Sequence, residues 1–362
     1  FKEHPAKHLP FGGVGVILAG DFGQLAPIKE TDTMSLLCPY SVAAGCRHKT
    51  ANLGQRLFSY FTTVVRLRRI HRQPGASLYK ESLIRLRDGA MTQKDHSLWL
   101  QHDLGHKDCK LDEAARKRFE GEVTHLFAEN APAGARNGRM AGELAREQRR
   151  TILRVASRDS WRQAERQSCD RFGQYRRVVH LVEQGPAMII SNLRTEAGLV
   201  NGATGKVLGA VLQDRLARED LKGAVCASDV KYVVMDVPSY RGPVIFPGHP
   251  TWVPIEPQLV RHDRQKGWHR LQLPLVQARG LTVHKSQGLT FPEGAVLDFA
   301  HSPTNKPVAT VGLAFVAMSR TTTWEGQAFR DLPDFWEFRG VLKQELFRWR
   351  KRAVEAFDAL HD

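Results

Sequence analysis

Apolar residues run from Val14 to Ala19 in GVGVILAG, with glycines on both flanks, and end abruptly in Asp21-Phe22-Gly23-Gln24. Such a run predicts a strand buried on both faces of a parallel sheet, and polar groups at the carboxyl end of such a strand lie where α/β proteins bind ligands. Asp21 and Gln24 are therefore site candidates; a polar turn closed by Pro27 is the competing reading. TTVVRLRRI (Thr62–Ile70) predicts another strand, and ASLYKESLIRLRDG (Ala76–Gly89) has helical periodicity closed by a glycine. EVTHLFA (Glu122–Ala128) predicts a short strand, followed by a helix near Asn137–Arg150. From about Gly185 to Arg270 the texture changes to short β segments, PAMIISN, GKVLGAVL and KYVVMDV. Asn201-Gly202 and Arg241-Gly242-Pro243 supply turn signals between them. The chain then returns to an α/β pattern in LQLPLVQARGLTVHKSQG, AVLDFA and LAFVAMSR. The expected architecture is α/β with a small β-rich insertion.

Composition narrows the partner. The 362 residues are 42% hydrophobic, enough for two or more domains with cores of their own. Lys and Arg number 53 against 38 Asp and Glu, a formal net charge of +15. That excess favours an acidic partner, of which nucleic acid is the commonest, although a solvated surface gives the same balance. The five cysteines, Cys38, Cys46, Cys109, Cys169 and Cys226, are scattered and odd in number, which argues against a disulfide framework and for a reducing compartment. No apolar run is long enough to span a bilayer, and no signal peptide is visible. The chain opens on Phe1 and reads as a piece of something longer.

LTVHKSQGLTF (Leu281–Phe291) concentrates the candidate chemistry. Thr282, His284, Lys285, Ser286 and Gln287 crowd one short turn after an apolar strand, and adjacent polar side chains there are costly to bury without partners. Hydroxyls, backbone amides and a lysine suit phosphate oxygens; an exposed helix start capped by Thr282 is the alternative. In FVAMSRTT (Phe315–Thr322), Arg320 follows an apolar helical run, as a surface cation or as a guanidinium aimed at a phosphate. Cys38, Cys46 and His48 lack a fourth zinc ligand at sensible spacing. The basic tail FRGVLKQELFRWRKRAVEAFDAL (Phe338–Leu360) reads as an amphipathic helix docked on its own domain, ahead of one contacting DNA or a partner.

Five segments in order, GDFGQLAP, LRRIHRQ, NL…GLVNGATGKV, LTVHKSQGLTF and FVAMSRT, resemble the superfamily-1B DNA helicases, most closely the PIF (petite integration frequency) branch that includes Helitron helicases. RecD-type helicases are more distant. The resemblance covers Phe11 to about Leu332. It implies two RecA-like motor domains, the first incomplete, with a small β-rich, SH3-like insertion in the second. On that basis 1–112 is the end of motor domain 1A, and 113–184 and 271–335 are domain 2A. The insertion, 2B, is 185–270, and 336–362 is a carboxyl-terminal helix. The resemblance also implies roles. Gln24 would sense the γ-phosphate or attacking water, and Asp21, with Gly20, would link the ATP site to DNA. Arg72 and Arg320 would be arginine fingers, with Gln73, Gly288 and Ser319 lining or coupling the site. Thr282, His284, Lys285, Ser286 and Gln287 would contact the DNA backbone.

The implied function is an ATP-dependent DNA helicase, translocating on single-stranded DNA and unwinding forked duplexes in repair, replication or recombination. It would be a monomeric motor without a membrane partner, in the nucleus, mitochondrion or bacterial cytoplasm. A non-enzymatic, nucleic-acid-binding transposon relic and a RecD-like subunit of a nuclease complex are the alternatives. Ala26, His71 and Met318 stand where the family usually has Pro, Phe and Leu. No G-x-x-x-x-G-K-[ST] loop or apolar strand ending in Asp-Glu occurs. NGATGKVLG (Asn201–Gly209) has short spacing and Val207 where Ser or Thr should ligate metal, and reads as a turn entering a strand. The phosphate loop and the Mg2+ ligands are expected upstream of Phe1, no metal site is expected within the chain, and the chain alone is not expected to hydrolyse ATP usefully.

Overall fold

Local sequence signals produce the first helices. The computed structural model describes residues 8–25, 49–67, 69–75, 77–147, 149–150, 152–213, 223–299 and 312–361, with Ala6 and Leu36. They form two units: one of the described residues up to Glu129 together with those from Thr282 onward, the other Asn130–Leu281. The first unit begins with α1 (Lys49–Phe58) and α2 (Leu78–Asp88). Ser77 caps α2 by accepting the Lys80 amide, and Gly89, at φ +70°, ends it, with the Ala90 amide donating to the Arg85 carbonyl. The expected helix is thus present, terminal glycine included. A Cβ at Gly89 would lie 2.4 Å from Leu342 and Phe347, so both φ and space require glycine.

In α3 (Gln93–Leu100), Thr92 and Asp95 form a reciprocal capping box. Asp95 also receives Arg85 through Nη2 at 2.7 Å and Nε at 3.0 Å. Burial pushes the Asp95 carboxyl up, but Arg85 and the Thr92 amide and hydroxyl outweigh it and hold it below its ordinary value. A depressed carboxyl contributes stability that is present above the unfolded pKa and lost as pH falls through the folded one. Asp95→Asn is therefore expected to lower the unfolding free energy by about 1–2 kcal/mol at neutral pH and to flatten its fall below pH ~4. Urea titrations at several pH values check both; an unchanged acid slope would contradict the pairing.

Helix α4 (Glu113–Gly121), capped by Asp112, precedes β1 (Thr124–Phe127). The chain then enters the second unit through α5 (Asn130–Glu147), which overlaps the helix expected near Asn137–Arg150. Two small sheets share β2 (Ile152–Ala156), β3 (Arg158–Asp159), β4 (Val178–Val182), β7 (Val225–Cys226), β10 (Gln258–Arg261) and β11 (His269–Gln272), in orders β4-β2-β7 and β10-β11-β3. The short α6 (Arg162–Glu165) lies between β3 and β4. The largest sheet, β12-β5-β6-β8-β9, is antiparallel throughout, from β5 (Pro186–Ile189), β6 (Thr204–Leu212), β8 (Val230–Asp236), β9 (Trp252–Ile255) and β12 (Leu275–Gln277). Asn201 and Gly202 form the turn before β6, and the GATGK run enters that strand as expected. Sheet structure here runs from Ile152 to Gln277, wider than the Gly185–Arg270 stretch whose texture reads as β.

The core of this unit joins Val155, Leu181, Ile189, Val233, Met235 and Leu273. Beside it lies a buried ion pair: both side chains of Arg270 and Asp159 are fully inaccessible, 2.7 Å apart at the closest atoms. Arg270 also donates to the Tyr175 and Ala164 carbonyls and covers the Phe172 ring at 4.4 Å. β13 (Gly280–Thr282) follows, its Gly280 exchanging two 2.7 Å hydrogen bonds with the Asn137 amide.

Back in the first unit come α7 (Val283–Ser286), β14 (Ala295–Asp298), α8 (Leu313–Met318), β15 (Gln327–Arg330), α9 (Phe335–Gly340) and α10 (Glu345–His361). β1, β14 and β15 pair in parallel, and all four β14 residues are buried, the apolar Ala295–Leu297 as a strand covered on both faces requires and Asp298 at its carboxyl end. The tail is two helices, interrupted after Gly340, with Phe338, Phe347 and Trp349 buried against its own unit.

Two strand expectations are not met. Val14–Ala19 and Thr62–Ile70 belong to no strand of the described sheets. Ile17 is 94% exposed and Leu67 91%. An apolar run encodes a preference for burial, whereas a strand also needs a neighbouring edge to pair with, and neither run is a strand in a described sheet. Cys38, Cys46 and His48 lie outside the described residues, among which no cluster of three metal-ligating side chains occurs. No described helix is long and apolar enough to cross a membrane.

Candidate functional site

Asp21 organises the first motif. Its carboxylate accepts the Gly23 amide at 2.8 Å and the Arg87 guanidinium at 2.9 Å, and the Gln24 amide donates to the Asp21 carbonyl at 3.0 Å. Burial raises the Asp21 carboxyl, but the charge of Arg87 and the Gly23 amide more than offset this, so it titrates below its ordinary value. An aspartate closing its own turn is the bland reading of this stretch, and the geometry includes it. It does more, because Gln24 is tied elsewhere: its Oε1 accepts Gln287 Nε2 at 2.9 Å across 263 residues of sequence. Gly312, the residue before α8 with φ +82°, brings that helix onto the turn; a Cβ there would lie 2.5 Å from the Gln24 carbonyl. Gly20 is exposed with open space around it.

The HKSQG segment is a capped helix start, but a buried one. Thr282 Oγ1 accepts the Lys285 amide at 3.4 Å, and the Ser286 hydroxyl donates to the Val283 carbonyl at 2.8 Å. Both hydroxyls are buried in the service of α7. His284 and Lys285 are half-buried, and Gln287 is exposed. Burial holds the His284 imidazole below its ordinary pKa, which keeps it neutral near pH 7. Gly288, at φ +86°, turns the chain out of this helix.

The third cluster gathers residues from opposite ends of the sequence. Arg72 donates through Nη1 to the Ser319 carbonyl at 3.0 Å and through Nε to Thr290 Oγ1 at 2.9 Å. Gln73, buried beside it, donates to the Ser319 carbonyl at 3.3 Å and the Thr321 carbonyl at 2.6 Å. Arg320 is only 3% exposed, so a surface cation is excluded. Its Nε donates to the Val316 carbonyl at 2.8 Å, its Nη2 to Ser319 Oγ at 2.8 Å and its Nη1 to the Leu289 carbonyl at 3.4 Å. Burial pushes its pKa down to about 10, with the charge of Arg72 adding to the effect and Asp21 opposing it. Two guanidinium groups held within electrostatic reach of each other, one of them buried, make a place where a polyanion lowers the electrostatic cost.

Three residues of this region carry no warning in the sequence. Tyr79 donates to the Met318 carbonyl at 2.6 Å and lies 2.9 Å from Thr321 Oγ1, and burial pushes its phenol well up. Arg87 holds Asp21. Arg350, buried in α10, donates to the Arg87 carbonyl. The only local signal for Arg87 is a basic residue in the last turn of a helix, which is common.

No family model matches the chain. It is 25% identical over 355 residues to the ATP-dependent DNA helicase PIF7 of Trypanosoma brucei brucei, a match covering 88% of this chain and 33% of that protein. The chain thus spans one third of that relative's length. Among solved structures it is similar to the Pif1 helicase from Candida albicans, with a TM-score of 0.64, 22% identity and coverage of 96% of this chain and 69% of that one. It is also similar to the Pif1 helicase from Bacteroides in complex with ADP-AlF3 and ssDNA, with a TM-score of 0.57, 20% identity and coverage of 96% and 68%. The mixed α/β fold is that of the two RecA-like domains of Pif1 helicases. In sequence the chain is thus similar to a PIF-type DNA helicase, and its fold is that of the Pif1 helicases.

Proposed function

We propose that this chain is part of an ATP-dependent DNA helicase that couples hydrolysis to movement along single-stranded DNA and to the opening of forked duplexes. The observation that carries the reading is the convergence of segments far apart in sequence: Arg72 and Gln73 on the Ser319 carbonyl beside Arg320, and Gln24 on Gln287. Phosphoryl transfer is catalysed mainly by positioning and charge stabilisation, which is what paired guanidinium groups and a positioned glutamine offer. Arg72 and Arg320 would hold the nucleotide's terminal phosphate, and Gln24 would orient the attacking water. Asp21, Gly20, Gln73, Gly288 and Ser319 would transmit the state of that site. Mg2+ would neutralise phosphate charge when bound.

Thr282, His284, Lys285, Ser286 and Gln287 would form the DNA side, and the Gln24–Gln287 bond would be the link between the two. The domain assignment follows: 1–112 as the end of domain 1A, 113–184 and 271–335 as domain 2A, 185–270 as an SH3-like 2B insertion and 336–362 as a terminal helical segment. A monomeric motor in the nucleus, mitochondrion or bacterial cytoplasm completes the reading.

Protein made from the whole reading frame that encodes this chain is expected to separate a forked duplex only when ATP and Mg2+ are supplied. Lys285→Ala is expected to weaken its single-stranded DNA affinity about tenfold and to reduce the salt dependence of binding. Strand separation that ignores ATP would refute the motor reading. DNA binding without ATP-dependent separation would favour a non-enzymatic relic instead.

A further inference from the structure

Helix α10 reaches back to the end of α2. Arg350, 7% exposed, donates to the Arg87 carbonyl in the last turn of α2, across 263 residues of sequence. Arg339, in α9, donates to the Gly89 carbonyl at 3.4 Å. The carboxyl end of a helix presents carbonyls without helical partners and partial negative charge, so two guanidinium groups there complement it. Phe347 lies against Gly89, and the Arg350 guanidinium sits 5.5 Å from the Phe347 ring centre. The contacts continue beyond Arg87. Its guanidinium binds Asp21 at 2.9 Å, Asp21 accepts the Gly23 amide, and Gln24 accepts Gln287.

Burial beside the charge of Arg87 pushes the pKa of Arg350 down to about 10, with Asp21 and Asp88 partly compensating. A buried cation next to a second cation is an expensive way merely to anchor a helix, since apolar residues do that at lower cost. What the arrangement does provide is a continuous chain of contacts from the tail to the first motif.

We infer that Arg350 and Arg87 are positioning residues, which hold Asp21 and through it orient Gln24 toward Gln287, so that undocking α10 loosens the GDFGQ turn. The consequence for hydrolysis rests on the helicase reading; the mechanical link does not.

Hydrogen–deuterium exchange of the 362-residue chain tests the link directly. Arg350→Ala is expected to speed exchange of the Gly23 and Gln24 amides about tenfold, as is Arg87→Ala, with the double variant no faster than either. Arg350→Lys should restore most of the protection. Arg348→Ala, in which an exposed guanidinium loses the Lys343 carbonyl, should leave those amides as in the parent. Unchanged exchange in both single variants, or additive effects in the double, would overturn the inference. In protein from the whole reading frame, Arg350→Ala is expected to lower kcat with KM for ATP unchanged; a loss expressed wholly in KM would also overturn it. An inactive parent protein would count against the helicase reading alone, and the exchange result would then decide this one.

Discussion

Replacing Arg320 by Ala in protein from the whole reading frame is expected to cut DNA-stimulated ATP hydrolysis by roughly 10³-fold or more, the range associated with loss of an arginine finger. Single-stranded DNA affinity is expected to stay within about threefold, because none of the proposed DNA-side residues donates to or accepts from this guanidinium. The geometry adds a requirement. The guanidinium is occupied by the Val316 and Leu289 carbonyls and the Ser319 hydroxyl, so engaging a phosphate means exchanging some of those bonds. Arg320→Ala also removes a donor that closes α8, and folding must be monitored alongside rate. Arg320→Lys separates the two effects: it keeps a cation at the helix end but loses the fork that bonds several oxygens at once. The lysine variant should therefore melt near the parent temperature and still hydrolyse ATP slowly. Unwinding at the parental rate by Arg320→Ala would refute the assignment.

Asp159→Ala is expected to be the most damaging substitution for stability, lowering the unfolding free energy of the second unit by about 3–5 kcal/mol. Arg270 would keep its positive charge in a site without solvent, with two carbonyls and the Phe172 face among the described residues to receive it. Replacing both partners by apolar residues of similar volume, as in Arg270→Met with Asp159→Leu, removes the stranded charge and is expected to recover most of the loss. Urea unfolding of the single and double variants checks this. A double variant as unstable as Asp159→Ala would show that the pair itself, and not the orphaned charge, carries the stability.

Legibility differed by kind of interaction. The helix ending at Gly89, the strands at Thr124–Phe127 and Ala295–Asp298 and the turn at Asn201-Gly202 all stand where local pattern puts them. Each depends on groups within a few residues: a cap, a glycine free to take positive φ, an apolar run long enough to cross a sheet. The apolar runs at Val14–Ala19 and Thr62–Ile70 show the limit, since the same pattern, unpaired in any described sheet, leaves Ile17 and Leu67 largely exposed. At the candidate site, residue types in order were enough to nominate Asp21, Gln24, Arg72 and Arg320. Nothing in that order revealed that Arg320 is buried and bonded to its own helix.

Residue order alone was sufficient for the α/β alternation, the β-rich middle and the likeness to PIF-type helicases, because these follow from periodicity and short motifs that each stretch carries within itself. Which distant groups meet was a matter for the folded chain. Arg87 on Asp21, Arg350 on Arg87, Gln24 on Gln287 and Arg270 on Asp159 join residues 66 to 263 positions apart. An arginine in a helical stretch has the same local pattern whether it ends in solvent or against a carboxylate, and only the packing of whole elements makes that choice.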